Sequence, residues 1–213
     1  MTTDEAVLRA RAPEDLTDCS VLLSRLTRLD AVGLVRLQQA GEFVTFWASP
    51  LDVVIRTEIR AQMNVGDRTM PAVELLAAVG APAGGSVRLP PARDAGWRVT
   101  LPPRAGWSDL DVVPAEVVRD LADSAGRAVR AAADPVIAGG SLLDQEALRV
   151  SGGGDEVVLP VRVVIVLHRL GFLGAATAPA AVMRVACSPA WIRLAARHGT
   201  AYQRRNGLSL SRA

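Results

Sequence analysis

A chain of 213 residues has room for one large domain or two of about 100 residues, and either can bury an adequate core. Hydrophobic residues at 50% and charged residues at 22% make it too apolar for disorder, and a net charge of +2 is far from the dense basic character of strong nucleic-acid binders. All 24 basic residues are arginine, a bias that, with the many Ala, Val, Gly and Pro residues, points to GC-rich coding rather than to a function.

Residues 1–5 are polar and expected to fray, and residues 6–12 alternate enough to predict a first strand. Pro13 then opens a helix, because its ring fixes φ and its missing N–H is harmless at the first helical position. Glu14 and Asp15 sit in the first turn, where acids favour the helix dipole, and Leu16, Cys19, Leu22, Leu23, Leu26 and Leu29 form one apolar face. Cys19 is therefore expected in the core rather than as a nucleophile.

From Gly33 the period changes to two, and residues 34–39, 42–48 and 52–60 predict a three-stranded meander with turns at Ala40-Gly41 and Ser49-Pro50. Residues 64–67 turn the chain. Pro71 starts a short helix carrying Val73, Leu76 and Val79, which Gly80 ends, and residues 86–89 with 97–101 predict a closing hairpin. The Pro- and Gly-rich stretch 102–108 reads as a linker, which divides the chain into domains 1–104 and 105–213.

The second half repeats the order. Residues 109–113 predict a strand, and Pro114 opens a helix with Val118, Leu121, Ala125, Ala128 and Val129 inward and Glu116, Arg119, Asp123, Arg127 and Arg130 outward. A loose stretch, 134–140, leads to a short hairpin of 147–150 and 156–159 around the turn Ser151-Gly152-Gly153-Gly154; no Lys-Ser/Thr follows those glycines, so they are not a phosphate loop. Pro160 opens a segment with Val163, Val164, Leu167 and Leu170 on one face, which its valines also allow as a buried strand; the parallel with Pro71 favours a helix. Residues 182–187, 191–195 and 200–204 finish as strands, and 206–213 form a polar tail.

No run reaches the roughly 20 apolar residues of a bilayer span, and no signal-peptide pattern opens the chain, so a cytoplasmic protein without a membrane partner is expected. Cys19 and Cys187 lack metal or redox spacing. His168 and His198 fall in no metal-ligand motif and are expected as a helix-flank and a turn residue, and no GxSxG elbow supports a triad. A non-enzymatic binding or scaffold protein, with no cofactor and no metal, is the expectation.

DRTMPAVELLAAV (67–79) and DEVVLPVRVVIVL (155–167) share strand, proline and helix, and each precedes a Trp-containing segment at Trp97 or Trp191. Each half thus reads as strand-helix, meander, strand-helix, hairpin, an α+β pattern of two pseudo-repeated sheet-plus-two-helix halves. GLVRLQQAGEFVTFWASPLDVVIRTEIRA (33–61) followed by RTMPAVELLAAV (68–79) resembles the strand meander and second helix of a DNA sliding-clamp domain, the polymerase processivity ring. The arginine-only, alanine-rich texture is also similar to that of actinobacterial proteins.

The clamp resemblance implies helices that line a ring and point basic residues at duplex DNA. It implies a homo-oligomer, most simply a six-domain trimer, with Arg25, Arg28, Arg119, Arg127 and Arg130 facing the hole and holding a duplex weakly, since Asp18, Glu116 and Asp123 nearly balance them. Two alternatives stand beside it. Residues 155–205 could form a winged-helix DNA reader, with 178–186 as recognition helix and Arg197, Arg204 and Arg205 on the wing. The chain could instead be a protein-interaction module anchored by Phe43, Trp47 or Trp107.

Overall fold

The computed structural model describes residues 5–82, 85–131, 140–175 and 181–205, and the chain divides into two compact units, 1–100 and 101–213. The first unit runs β1 (Val7–Ala10), α1 (Pro13–Leu29), β2 (Leu34–Ala40), β3 (Phe43–Ala48), β4 (Val54–Met63), β5 (Asp67–Pro71), α2 (Ala72–Val79) and β6 (Ser86–Arg88). The second runs β7 (Ser108–Pro114), α3 (Ala115–Ala131), β8 (Glu146–Gly152), β9 (Asp155–Pro160), α4 (Val161–Leu170), β10 (Val182–Cys187), β11 (Trp191–Ala196) and β12 (Gly199–Arg204). Both units are α+β, and each repeats the strand-proline-helix device twice, which gives the two sheet-plus-two-helix halves expected. The expectations for residues 1–4, most of the loose stretch before β8 and the tail from 206 lie outside the described residues; residues 140–143 are helical.

The prolines work in two ways. Pro13 is the first residue of α1, where Asp15 Oδ2 accepts the Ala12 N–H at 3.0 Å. Pro71, Pro114 and Pro160 instead close their strands, each one residue before the helix. In these three junctions the first helical N–H is satisfied by the strand partner. Ala72 donates to the Gly33 carbonyl, Ala115 to that of Ala181 and Val161 to that of Gln145, each at 2.9 Å. Every acceptor is the residue just before the strand paired with the proline strand, so the ladder runs one residue into the helix and supplies a cap that no side chain provides.

In the first unit the antiparallel order is β5-β2-β3-β4, with β1 paired to the far end of β4 and to β6. In the second it is β7-β10-β11-β12, with β8 and β9 as a separate hairpin. The inward residues of each sheet meet its helix pair. Leu16, Cys19, Leu22, Leu23 and Leu26 of α1 are buried with Val35, Leu37, Val44, Phe46 and Ile59. The valine-rich segment after Pro160 is a helix, buried nearly all round through Val161, Val163, Val164, Val166, Leu167 and Leu170, and stopped by Gly171 at φ 76°. Among the described residues no helix is long and apolar enough to cross a membrane.

Several expectations are corrected. On α2 the buried residues are Ala72, Leu75 and Val79, while Val73 is exposed; the AVELLAAV stretch is apolar on every side, so its inward face is set by where the helix begins. On α3 the buried set is Ala115, Val118, Ala122 and Ala125, and Ala128 faces solvent. No closing hairpin forms. β6 pairs with β1, and Trp97 lies in an irregular stretch where its indole N–H bonds the Val99 carbonyl at 2.8 Å, because Pro90, Pro91, Pro102 and Pro103 remove ladder donors on both sides. The full three-stranded meander follows α1 in the first unit but α4 in the second.

Candidate nucleic-acid interface

In each unit two helices pack side by side, and their outward faces carry the arginines singled out above. Arg25 and Arg28 are exposed on α1, one turn apart, with Val21 and Asp18 on the same face. The α1–α2 layer holds these two arginines against Glu14, Asp15, Asp18 and Glu74, a net negative surface. The α3–α4 layer has the opposite sign: Arg119, Arg127, Arg130 and Arg169 against Glu116, Asp120 and Asp123, with Arg162 balanced by Asp144. Arg127 and Arg130 are exposed, and Arg127 reaches Ser124 Oγ at 2.7 Å. Arg119 is half-buried and donates to the Leu173 carbonyl at 3.4 Å, tying α3 to the end of α4, and Arg162 pairs with Asp144. The five sequence-selected arginines therefore fall on two layers of unlike charge.

Between α3 and α4 a small groove of about 50 Å³ is bordered by Asp123, Gly126 and Arg130 on one helix and His168 and Arg169 on the other. His168 Nε2 stands 3.6 Å from Asp123 Oδ1. His198 lies exposed in the turn between β11 and β12, its N–H on the Phe172 carbonyl at 3.0 Å. No group of three or more potential metal ligands occurs among the described residues. Cys19 is buried, and burial pushes its thiol up to about 12. Burial and then the Asp155 charge raise Cys187 as well, against Arg205.

The outward sheet faces carry arginine–aromatic rows that sequence reasoning missed. Arg36, Trp47 and Arg56 stand directly opposite one another across β2, β3 and β4, and Phe43 stands opposite Arg60. The guanidinium carbons of Arg56 and Arg60 lie 5.9 Å from the Trp47 and Phe43 ring centres. Arg36 also makes a forked contact to Asp67 at 2.6–3.1 Å; Gln38 adds a bond to Asp67 at 2.9 Å and accepts from the Trp47 indole at 3.0 Å. Burial pushes the Asp67 carboxyl up, but these hydrogen bonds and the Arg36 charge outweigh it and hold it below its ordinary value. In the second unit Arg193 lies 4.9 Å over Trp107, which leans on Tyr202 at 5.8 Å, and Arg204 lies 4.8 Å over Trp191. Trp47 is buried and so is not an exposed anchor, whereas Phe43 and Trp107 are partly open. Cross-strand register assembles the Arg36–Trp47–Arg56, Phe43–Arg60 and Trp191–Arg204 pairs; the alternating pattern alone gives the face and not the partner.

The winged-helix alternative fails on geometry. Residues 182–187 are strand β10, in the middle of an antiparallel sheet, so the proposed recognition helix does not exist there; residues 176–180 lie outside the described residues. Arg205 is held by the carbonyls of Ser188 and Glu156, at 3.3 and 3.4 Å, and Arg204 covers Trp191, which leaves only Arg197 projecting from a turn.

Over nearly its whole length the chain has the fold of DNA polymerase sliding clamps. The polymerase III β subunit of Caulobacter crescentus is 17% identical at a TM-score of 0.59, the match covering 97% of this chain and 66% of that one. The sliding clamp of Bacillus subtilis gives 12%, 0.59, 98% and 66%, and the β chain of Streptococcus pneumoniae gives 9%, 0.61, 96% and 65%. The chain thus spans just under two thirds of the length of these clamps. No curated protein matches it in sequence. Residues 3–99 match the family described as Domain of unknown function (DUF8010), and residues 102–208 match Domain of unknown function (DUF8185). That second match takes in half of the chain, and the protein belongs to the DUF8185 family.

Proposed function

We propose that the protein is a non-enzymatic scaffold on the clamp fold that associates weakly with duplex DNA, and that its DNA-facing surface is the α3–α4 layer. The observation that carries this reading is the division of charge, with arginines in excess on α3–α4 and carboxylates in excess on α1–α2. Phosphate neutralisation gives sequence-independent affinity only where the local excess is positive. Arg127 and Arg130 therefore contribute, while Arg25 and Arg28 are offset by their acidic neighbours. Because the chain spans about two thirds of a clamp, encircling a duplex would require self-association, of which a trimer of two-unit chains is the simplest form.

Duplex binding between 50 and 200 mM salt, together with solution mass, tests this. Three phosphate contacts, from Arg127, Arg130 and Arg169, predict a slope of log affinity on log salt near −2.7, or about a 40-fold loss over that range. Replacing Arg127 and Arg130 by alanine is expected to flatten the slope by about two, and replacing Arg25 and Arg28 to change it little. No binding at 50 mM salt, or equal effects of the two double variants, would overturn the assignment. A monomeric mass would remove the encircling ring and leave a scaffold that lies on one side of its partner.

A further inference from the structure

The α3–α4 groove has a second property that net charge does not require. Arg130 and Arg169 border it from opposite helices, and neither guanidinium has a hydrogen bond or ion pair among the described residues, whereas Arg127 has Ser124, Arg119 has Leu173 and Arg162 has Asp144. Gly126 opens the space: Arg130 folds back over it, with one terminal nitrogen 3.4 Å from where a Cβ would sit. His168 faces the same space, and its 3.6 Å separation from Asp123 leaves the imidazole nitrogen free to turn to a better acceptor. Three N–H-bearing side chains thus border one gap of about 50 Å³ with a single carboxylate beside them.

We propose that this groove is a seat for one phosphate oxyanion, held by Arg130, Arg169 and His168. Phosphate fits better than carboxylate because it has enough oxygens to accept from all three side chains at once, and guanidinium forks match its geometry. Asp123 is the opposing charge, which keeps the seat weak and orients the imidazole when it is empty. The seat lies in the layer assigned to duplex DNA, and so deepens that reading, but free phosphate and a nucleic-acid backbone share the chemistry.

Two histidines in the whole chain make the test direct. Proton NMR of the intact protein, titrated with inorganic phosphate against chloride at constant ionic strength, is expected to move the His168 ring signals saturably and leave His198 in place. Arg130→Ala and Arg169→Ala should each weaken the response about tenfold, the usual scale of a charge-assisted hydrogen bond, and replacing Arg104, an exposed arginine of the segment before β7 that does not border the groove, by alanine should not. Asp123→Asn should tighten phosphate binding. If Asp123→Asn abolishes the response, or His168 is unmoved by phosphate, the groove is only a histidine–aspartate contact and the seat is wrong. A short duplex separates the two readings. A phosphate response without duplex binding keeps the seat and removes the DNA role, whereas duplex binding with His168 silent to both ligands removes the seat and keeps the DNA role.

Discussion

Replacing Gly152 by alanine should unseat the β8–β9 hairpin from β7. A Cβ at this position would lie 2.1 Å from the Leu110 carbonyl oxygen, 2.8 Å from its carbon and 3.1 Å from its Cα. All three are backbone atoms of Leu110, the unpaired residue of a β-bulge in β7 whose neighbours Asp109 and Asp111 are held opposite Ala186 and Val185 of β10, so the hairpin must move by about 1 Å to regain ordinary contact. That motion loosens Val150, Val157 and Leu159, each 4% exposed or less. Full exposure of three such side chains would cost roughly 5–9 kcal/mol, so partial withdrawal at about 2–3 kcal/mol is the expected outcome, within the range of overpacking substitutions. Gly153→Ala is the control. Its φ is +60° with open space around it, so it carries only the left-handed backbone cost of about 1 kcal/mol. Urea denaturation of the intact chain, read through the second unit's tryptophans, gives both numbers. If Gly152→Ala costs no more than Gly153→Ala, the hairpin is not docked as described.

What the sequence revealed follows from how local each signal was. The four prolines located four helix starts because proline constrains its own φ and the residue before it, whatever the tertiary context. The inward face of α1 was legible because Asp18, Arg25 and Arg28 mark the other side. That of α2 was not, since Val73, Leu75 and Leu76 are equally apolar and only packing against α1 distinguishes them. Residues 97–101 alternate like a strand, but alternation says nothing about whether a partner is in reach, and β1 already pairs with β6 and β4. The candidate site divides the same way. Arg127 and Arg130 are legible as the outward face of an amphipathic helix, but the approach of Arg169 and His168 to Arg130 depends on how α4 lies against α3. The Arg36–Trp47–Arg56 row likewise needs the register of three strands.

Asp67 is held below its ordinary carboxylate value, so its contribution is full above the unfolded value of ~3.9 and is lost as pH falls through the lower folded value. The urea midpoint of the wild type should fall over that acid range more than that of Asp67→Asn, and parallel profiles would refute the role given to Arg36 and Gln38. Cys19 has the opposite window: with its folded thiol at about 12, the unfolded chain ionises first, so stability declines from about pH 9 upward at up to ~1.4 kcal/mol per unit. Cys19→Ala should remove that part of the alkaline slope, as urea midpoints at pH 8 and 10.5 would show. A loop rather than a strand covers the outer edge of β5. This strand pairs with β2 on one side; on the other, the Thr69 N–H goes to Asp94 Oδ1 at 2.6 Å, the Thr69 carbonyl accepts from the Arg93 N–H at 2.7 Å, and Arg68 Nε bonds the Pro90 carbonyl at 2.9 Å. The segment 90–94 therefore closes an edge that would otherwise template pairing with another chain. Asp94→Ala strips the carboxylate from an N–H whose residue is 1% exposed, an unmet buried donor worth about 1–3 kcal/mol. The variant should denature at lower urea and should also show a mass that rises with concentration in sedimentation, because a second chain can supply the missing acceptor. A variant as stable as the wild type would mean that water reaches Thr69, and a variant destabilised yet unchanged in mass would mean that Pro90 and Pro91 keep the edge shut without Asp94.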